Sequence, residues 1–147
     1  MRRDNFEFLL GWRPDEPWAD FVRTITEIRR GVGVPDGYVR AAQLAAQVGN
    51  DLVGRVSIRF ELNDFLALRG GHIGFGVLPA YRRRGYATDI LRQALVLAGG
   101  EGVSPVLLTC DDDNHGSAAV IERCGGVLES VRESSPSDKA FRRYWIQ

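Results

Sequence analysis

Apolar side chains recur every three or four residues in three stretches of the chain, a spacing that predicts amphipathic helices. The first stretch, residues 16–30, carries five apolar side chains on one face and ends before Gly31. The second runs over residues 87–98 and is followed by GGEG, and the third, residues 117–124, stops at two glycines. Because glycine commonly ends helices, each stretch has a clear C-terminal boundary.

Between these stretches, alternating or continuous apolar runs predict strands. Residues 38–48 and 52–62 flank the turn sequence GND and are interpreted as an antiparallel hairpin, although the alanines of the first arm would also suit a helix. The glycines in residues 72–79 suggest a bulge or a close approach to the backbone. The remaining predicted strands are residues 103–110, apolar enough to be buried on both sides, and the final pair 127–133 and 141–146.

The predicted elements follow the order helix, two or three antiparallel strands, helix, strand, helix and two strands. This order predicts an α/β or α+β fold, with helices on the faces of a sheet. Residues 72–110 contain a strand, a crossover helix and a second strand, which predicts that these two strands are parallel. The chain has 147 residues and no linker or internal repeat, so we expect one domain, residues 1–147.

Charge and cysteine content exclude several classes of function. Nineteen basic and nineteen acidic residues cancel, so no bulk charge attracts nucleic acid or an anionic membrane. Cys110 and Cys124 lack the spacing of a zinc site or a disulfide framework. The N-terminus has no signal-peptide cleavage site and no stretch is long enough to cross a bilayer, so we expect a cytoplasmic protein.

Three consecutive arginines, residues 82–84, stand directly before Gly85, Tyr86 and Ala87 at the start of the second helix. The first N–H groups of a helix have no partner within the helix, and the helix dipole attracts anions to this end. Gly85 would let a ligand approach the backbone, and the arginines would add cations at the rim. The alternative is an ordinary solvated helix start, so this stretch alone does not establish a phosphate site.

Two blocks of sequence resemble a known family. VLPAYRRRGYA, residues 77–87, resembles the acetyl-CoA signature of the GCN5-related N-acetyltransferases (GNAT), Gln/Arg-x-x-Gly-x-Gly/Ala, with Arg82, Gly85 and Ala87 at its defined positions. LTCDDDNHGSAAVIERCGG, residues 108–126, resembles the second block of the family, in which an Asn after a strand precedes a helix and a glycine-containing exit.

The resemblance covers residues 37–147 and extends to a bacterial subgroup of predicted acetyltransferases, whereas the helical N-terminal part, residues 1–36, carries none that can be used. It implies a mixed, mostly antiparallel sheet with a splayed parallel pair in the middle and helices on both faces, and acetyl-CoA as cosubstrate. The strand ending at Val77 and Leu78 would splay from residues 106–110 and pair with the pantetheine arm. The implied cofactor-binding residues are Val77, Leu78, Arg82, Arg83, Arg84, Gly85, Tyr86, Ala87, Thr88, Asn114 and Ser117.

Within this implied site, the N–H groups of residues 83–88 would hold the pyrophosphate, and Asn114 would reach the pantetheine or phosphate region with Ser117 nearby. Asn114 also suits the N-cap of the third helix, a role that is compatible with the first. The run Asp111–Asp113 lacks the alternation of calcium-loop ligands, and carboxylates before a helix are favoured by its dipole. No metal is therefore expected.

Acetyl transfer to an amine needs a neutral nucleophile, a polarised thioester carbonyl and, ideally, a proton donor for the departing thiolate. The backbone N–H near Val77 or Leu78 would polarise the carbonyl. Glu61 and His72, at the end of one strand and the start of the next, are the candidate general bases, acting directly or through water. Their alternative readings are a solvated carboxylate and a hydrogen-bonded structural histidine.

The sequence departs from the family at one catalytic position. Ile121 stands seven residues after Asn114, where many members have a Tyr general acid. Ser117, Tyr144 or water would have to replace it, or the thiolate would leave unassisted, since a thiol has a pKa of roughly 8.5. No acid is assigned.

The sequence thus predicts an acetyl-CoA-dependent N-acetyltransferase that transfers its acetyl group directly to a primary amine in a ternary complex. The acceptor would be a small molecule or a peptide, with no nucleic-acid or membrane partner, and the protein a monomer or homodimer. The missing Tyr keeps open a non-catalytic acyl-CoA sensor or partner-binding module of the same fold. An unrelated α/β domain whose arginines face solvent would bind no CoA.

Overall fold

A computed structural model describes residues 12–147 of the chain. The helices and strands follow the predicted order, with one short α-helix and a three-residue 3-10 helix, Pro79–Tyr81, added. The helices are α1 (Trp18–Arg30), α2 (Asp64–Leu68), α3 (Tyr86–Gly100) and α4 (His115–Arg123). The strands are β1 (Ala41–Val48), β2 (Asp51–Arg59), β3 (Ile73–Val77), β4 (Val106–Asp111), β5 (Val127–Arg132) and β6 (Phe141–Ile146).

The first three strands form an antiparallel sheet in the order β1-β2-β3. β1 and β2 are the arms of the predicted hairpin, and Gly49 in their turn has a φ of 59°, a left-handed conformation that glycine adopts readily. The alanine-rich first arm is therefore a strand and not a helix. In the β2–β3 pair, Gly76 lies opposite Arg55 and Gly74 lies opposite Ser57.

The last three strands form a second antiparallel sheet in the order β4-β6-β5. The two sheets meet where Gly71 and Leu108 form a backbone bridge and the His72 N–H donates to Leu107 O at 2.8 Å. Past this junction no ladder joins β3 to β4 within residues 12–147, so the two strands separate as predicted. The bridge at this junction is antiparallel, but it involves Gly71, which precedes β3 and turns the backbone there with a φ of 66°.

The core lies between α3 and the two sheets. Ile90, Leu91 and Ala94 of α3 are buried against the apolar side chains of β2 and β3. Ile121 of α4 joins the same cluster, as does Tyr144 of β6. The predicted apolar face of α3 is thus the face that is buried, and α1 packs separately against β1.

Helix α2 lies in a segment for which the hydrophobic pattern predicts no element. Its N-terminus is capped by Asn63, whose side chain accepts a hydrogen bond from the Leu66 N–H at 2.9 Å. The helix is five residues long and none of them is buried. A helix this short and exposed produces no apolar periodicity, which is why the sequence does not reveal it.

The N-terminal region is described only in part. The predicted first helix is confirmed as α1, whereas the expectations for residues 1–11, including that they are not a signal peptide, lie outside the described residues. From residue 12 onward, no helix combines the length and the apolar character needed to cross a membrane.

Candidate active site

The separation of β3 from β4 opens a cavity of about 850 Å³, within the range of roughly 300–1,000 Å³ that is usual for ligand pockets. Its walls come from β2, β3, the loop before α3, the first turn of α3, the end of β4 and one side of α4. Most of the predicted cofactor-binding residues belong to this lining: Val77, Arg82, Arg83, Gly85, Tyr86, Ala87, Thr88, Asn114 and Ser117. The exceptions are Leu78 and Arg84.

The start of α3 is an open helix N-terminus in the cavity wall. Gly85 occupies the N-cap position, and no side chain caps the helix there. The hydrogen bond from the Asp89 N–H to Gly85 O, at 3.2 Å, is the first backbone bond of the helix. The N–H groups of residues 85–88 are thus left without backbone acceptors, and they lie at the positive end of the helix dipole. This geometry suits an anion.

The loop that leads into α3 contains two residues in left-handed conformation, Arg83 with a φ of 61° and Gly85 with a φ of 83°. Left-handed residues in a turn bring successive N–H groups to one side and form anion-binding concavities. A Cβ added at Gly85 would meet no atom within 4 Å. The protein therefore leaves the space in front of the helix unfilled.

The three arginines before α3 have different roles. Arg82 donates from Nε to the carbonyl oxygen of Val77 at 2.9 Å, which ties the loop to the end of β3. The Arg84 guanidinium lies 5.9 Å from the ring centroid of Tyr81, outside the cavity lining. Arg83 lines the cavity. The predicted rim of three cations is therefore made of Arg82 and Arg83, with Arg84 turned to an aromatic ring.

The edge of β3 that faces the cavity carries backbone groups which β2 does not use. Backbone groups alternate in direction along an antiparallel strand, and the Leu78 N–H donates to Val53 O at 2.8 Å. The neighbouring residue, Val77, consequently points its N–H and C=O away from β2, and its carbonyl accepts from Arg82 on that side. Of the two predicted carbonyl-polarising donors, Leu78 is committed to the sheet and Val77 faces the cavity.

Asn114, at the start of α4, lies where both roles considered for it, helix N-cap and cofactor contact, are possible. Its Oδ1 accepts a hydrogen bond from the Ser117 N–H at 3.1 Å, so it caps the helix, and both residues line the cavity. Ile121, one turn further on, is 1% exposed and packs in the core. The side chain that replaces the usual Tyr thus points away from the cavity.

Neither predicted base lines the cavity. Glu61 is exposed beyond the end of β2. His72 is buried, and its Nδ1 accepts a hydrogen bond from the Leu107 N–H at 2.9 Å, as expected for the structural reading. Burial, with a smaller effect from the charge of Arg59, lowers the pKa of His72, so the neutral ring carries its proton on Nε2. The lone pair that would accept a proton is therefore occupied.

Tyr144, considered as a replacement acid, is also outside the cavity lining. Its side chain is fully buried, and its hydroxyl donates to Glu122 at 2.9 Å and accepts from Arg142 at 3.4 Å. Burial raises the pKa of this hydroxyl above its usual value. Tyr144 is held as a core hydrogen-bonding residue.

The run Asp111–Asp113 is neutralised by three cations from other parts of the chain. The ion pairs are Arg69 with Asp111 at 2.9 Å, Arg142 with Asp112 at 2.7 Å and Lys139 with Asp113 at 3.2 Å. Over residues 12–147, no group of three His, Cys, Asp or Glu side chains is placed to hold a metal ion. These ion pairs connect the end of β4 and the loop before α4 to the segment after α2 and to the β5–β6 hairpin.

Several residues of the cavity wall were not predicted from the sequence. They are Arg55, Phe75, Gly76, Tyr81, Asp111, Gly116, Ala119, Val120 and Arg123. The residues on α4 lie on the same side of the helix as Asn114 and Ser117, so a helical projection of the sequence would have revealed them. Arg55 reaches the site only through the register of β2 with β3, for which the sequence carries no local signal.

The sequence profile of the acetyltransferase (GNAT) family matches residues 5–126. The chain belongs to this family. The match includes residues before position 37, where the motifs alone gave no likeness, and it identifies the protein as an N-acetyltransferase. No sequence among curated proteins matches the chain significantly.

Solved structures of similar fold are all below 25% identity in the cases compared. MccE, a microcin self-immunity acetyltransferase in complex with acetyl-CoA and AMP, is 19% identical, with a TM-score of 0.63, over 87% of this chain and 68% of its own. Spermidine N-acetyltransferase SpeG from Vibrio cholerae is 17% identical, with a TM-score of 0.62, over 92% and 80%. RimL, a ribosomal alpha-N-protein acetyltransferase in complex with coenzyme A, is 20% identical, with a TM-score of 0.62, over 86% and 69%. The mixed α/β architecture is therefore that of GNAT acetyltransferases.

Proposed function

We propose that this acetyltransferase binds acetyl-CoA in the cavity between β3 and β4 and transfers the acetyl group directly to a primary amine. The observation that carries the proposal is the uncapped N-terminus of α3, which opens on the cavity beside the unpaired edge of β3. A helix start attracts phosphate, and a free strand edge pairs with an extended amide chain. Acetyl-CoA contains both groups, a pyrophosphate and a pantetheine arm.

In this arrangement the N–H groups from Arg83 to Thr88 hold the pyrophosphate, and Arg83 adds a cation at the rim. The edge of β3 that faces the cavity pairs with the pantetheine amides. Asn114 caps α4 with its oxygen, which leaves its amide NH₂ as a donor to the cofactor, and Ser117 lies next to it in the lining. Acetyl-CoA supplies the activated acetyl group.

The Val77 N–H is the proposed oxyanion donor. It faces the cavity, whereas the Leu78 N–H is used by Val53 O in the sheet. Attack by the amine nitrogen forms the C–N bond and places negative charge on the former carbonyl oxygen, where an oriented N–H stabilises it. Collapse of this intermediate breaks the C–S bond and releases the CoA thiolate. We assign no side-chain acid: Tyr144 is buried in the core, and Ser117, which lines the cavity, is bonded to Asn114 only through its backbone N–H.

The proton of the attacking amine needs an acceptor. Asp111 is the only carboxylate in the described lining of the cavity, and one of its oxygens is held by Arg69 at 2.9 Å. We propose that Asp111 orients the amine and accepts its proton, directly or through water. Glu61 and His72, the bases suggested by the sequence, would each have to act through water from outside the lining.

The test is turnover with a panel of amines, followed as release of CoA thiol. Asp111→Asn should lower kcat by tenfold or more and change the pH profile, because general-base catalysis typically contributes about 10²–10⁴ in rate. Asp113→Asn is the matched control, since Asp113 also has a cationic partner but does not line the cavity. Equal effects of the two substitutions would contradict the role of Asp111. A wild-type protein that binds acetyl-CoA and acetylates no amine would contradict the proposed reaction.

A further inference from the structure

The wall of the cavity formed by β2 and β3 presents a guanidinium on the face away from α3. A Cβ added at Gly54 would lie 3.1 Å from Ile90 of α3, so Gly54 marks the α3 face of β2. The next residue, Arg55, therefore projects to the opposite face. Its partner across the strands is Gly76, which has no side chain to block it, and both residues line the cavity. Arg55 also makes an interaction within the protein.

A second arginine of β2 shows how this face is used. The guanidinium of Arg59 lies over β3, because a Cβ added at Gly74 would be 3.5 Å from its Nη1 and 3.9 Å from its Cζ. Nη1 donates to the carbonyl oxygens of Gly70 and Gly71, at 3.2 and 3.4 Å. Arg55 and Arg59 are four residues apart on β2 and therefore lie on the same face, so this face of β2 and β3 carries two neighbouring guanidinium groups. Burial and the charge of Arg55 lower the pKa of Arg59.

The opposite wall of the cavity carries the carboxylate of Asp111. Its partner Arg69 precedes Gly70, whose N–H donates to the Thr109 hydroxyl of β4 and whose carbonyl accepts from Arg59. This chain of contacts places Asp111 on the same side of the sheets as Arg59. An acceptor that enters from this side thus meets a guanidinium on one wall and a carboxylate on the other.

We propose that the acceptor is a zwitterion, a small amine that carries a carboxylate a few bonds from its nitrogen, with Arg55 binding the carboxylate and Asp111 the amine. The inference rests on the proposed function and names its acceptor class. Arginine pairs with carboxylates through two parallel N–H···O bonds, an interaction that a neutral amide does not replace. The same charge repels polyamines, since like charges juxtaposed in an interface are unfavourable.

The test compares α-amino acids that have apolar, acidic and basic side chains with their carboxamides, and includes spermidine. We expect kcat/KM to be at least tenfold higher for the acids, mainly through KM. Arg55→Gln should bring this ratio close to one, and Arg55→Lys should keep part of it. Arg92→Gln, which removes a charge from the exposed side of α3, should leave the ratio unchanged. The same pairs are also titrated against protein loaded with CoA, so that the comparison does not depend on turnover.

Two results would overturn the inference while leaving the proposed function intact. One is that carboxamides or spermidine bind and react as well as the acids. The other is that Arg55→Gln and Arg92→Gln have equal selectivity ratios. Failure of the wild-type protein to bind acetyl-CoA at all would instead overturn the proposed function, and the acceptor inference with it.

Discussion

Helices α3 and α4 both begin at the cavity, yet only α4 is capped by its own chain. The Asn114 side chain accepts from the Ser117 N–H at the start of α4, whereas Gly85 supplies no side chain at the start of α3. The capped helix has its N-terminal N–H groups partly satisfied before any ligand arrives. The uncapped helix leaves them without backbone acceptors and open to the proposed phosphate, and the difference lies in a single residue at the same structural position.

The energetic consequence of leaving α3 uncapped is small. A glycine N-cap is only a few tenths of a kcal/mol less favourable than Asn, whereas a negative charge at a helix start contributes about 0.3–2 kcal/mol. Glycine at position 85 therefore lowers the stability of the free protein only slightly, and the interaction of the proposed anion with the helix start would be larger than this loss. The left-handed φ at position 85 also favours glycine, which has no side chain to obstruct the approach to the helix.

The largest expected effect comes from filling the open N-terminus with a charge of the protein's own. Ala87→Asp places a carboxylate in the first turn of α3, where it would occupy the anion site and repel phosphate. Acetyl-CoA affinity, measured by calorimetry, should fall at least 100-fold. The free energy of unfolding should change by less than about 1 kcal/mol, since the helix dipole favours the new carboxylate.

Ala80→Asp is the control for this change, because Ala80 is exposed and outside the cavity lining. It adds the same charge a few residues away and should leave the affinity nearly unaltered. An Ala87→Asp protein that binds acetyl-CoA as tightly as Ala80→Asp would refute the phosphate role of α3.

A smaller effect is expected at the capped helix, where two substitutions separate capping from cofactor binding. Asn114→Ala removes the cap and should lower the free energy of unfolding by about 1 kcal/mol. Asn114→Asp keeps a capping oxygen and should preserve stability, but it loses the amide donor and should weaken acetyl-CoA binding several-fold. Chemical denaturation and calorimetry measure the two effects. Unaltered affinity in Asn114→Asp would leave Asn114 with a capping role alone.

The sequence predicts well those features that depend on neighbouring residues. The start of α3, the order of elements and the Asn at the start of α4 all follow from glycine positions, helical spacing and family motifs. The sequence also shows that Ile121 cannot act as an acid, because its side chain is apolar. Its burial in the core agrees with this. The short helix α2 is not predicted, because its five residues, none of them buried, show no apolar periodicity.

Features that depend on distant partners could not be predicted. His72 is held by the backbone of Leu107, 35 residues away in the chain, and no local pattern reveals that its Nδ1 is occupied. The Leu78 N–H donates to the Val53 carbonyl oxygen, and the Arg84 guanidinium lies over the Tyr81 ring. These two implied cofactor residues are outside the cavity lining. Strand register and tertiary packing decide these cases, and a single sequence records neither.

The most direct test of the account is the thermal stabilisation of the protein by acetyl-CoA in Gly85→Asn and in Gly102→Asn. Both glycines have nearly the same left-handed φ, 83° and 82°, with nothing within 4 Å of an added Cβ, but Gly102 is outside the cavity lining. Asn tolerates this conformation, so both variants should fold, and their stabilities without ligand should differ by no more than the few tenths of a kcal/mol that separate a Gly N-cap from an Asn N-cap.

At 100 times the wild-type Kd, the ligand should stabilise the wild type and Gly102→Asn by about 2.7 kcal/mol, or several degrees in Tm. Gly85→Asn should show little or no shift at the same concentration. A full shift in Gly85→Asn would contradict the claim that the uncapped start of α3 is the phosphate site.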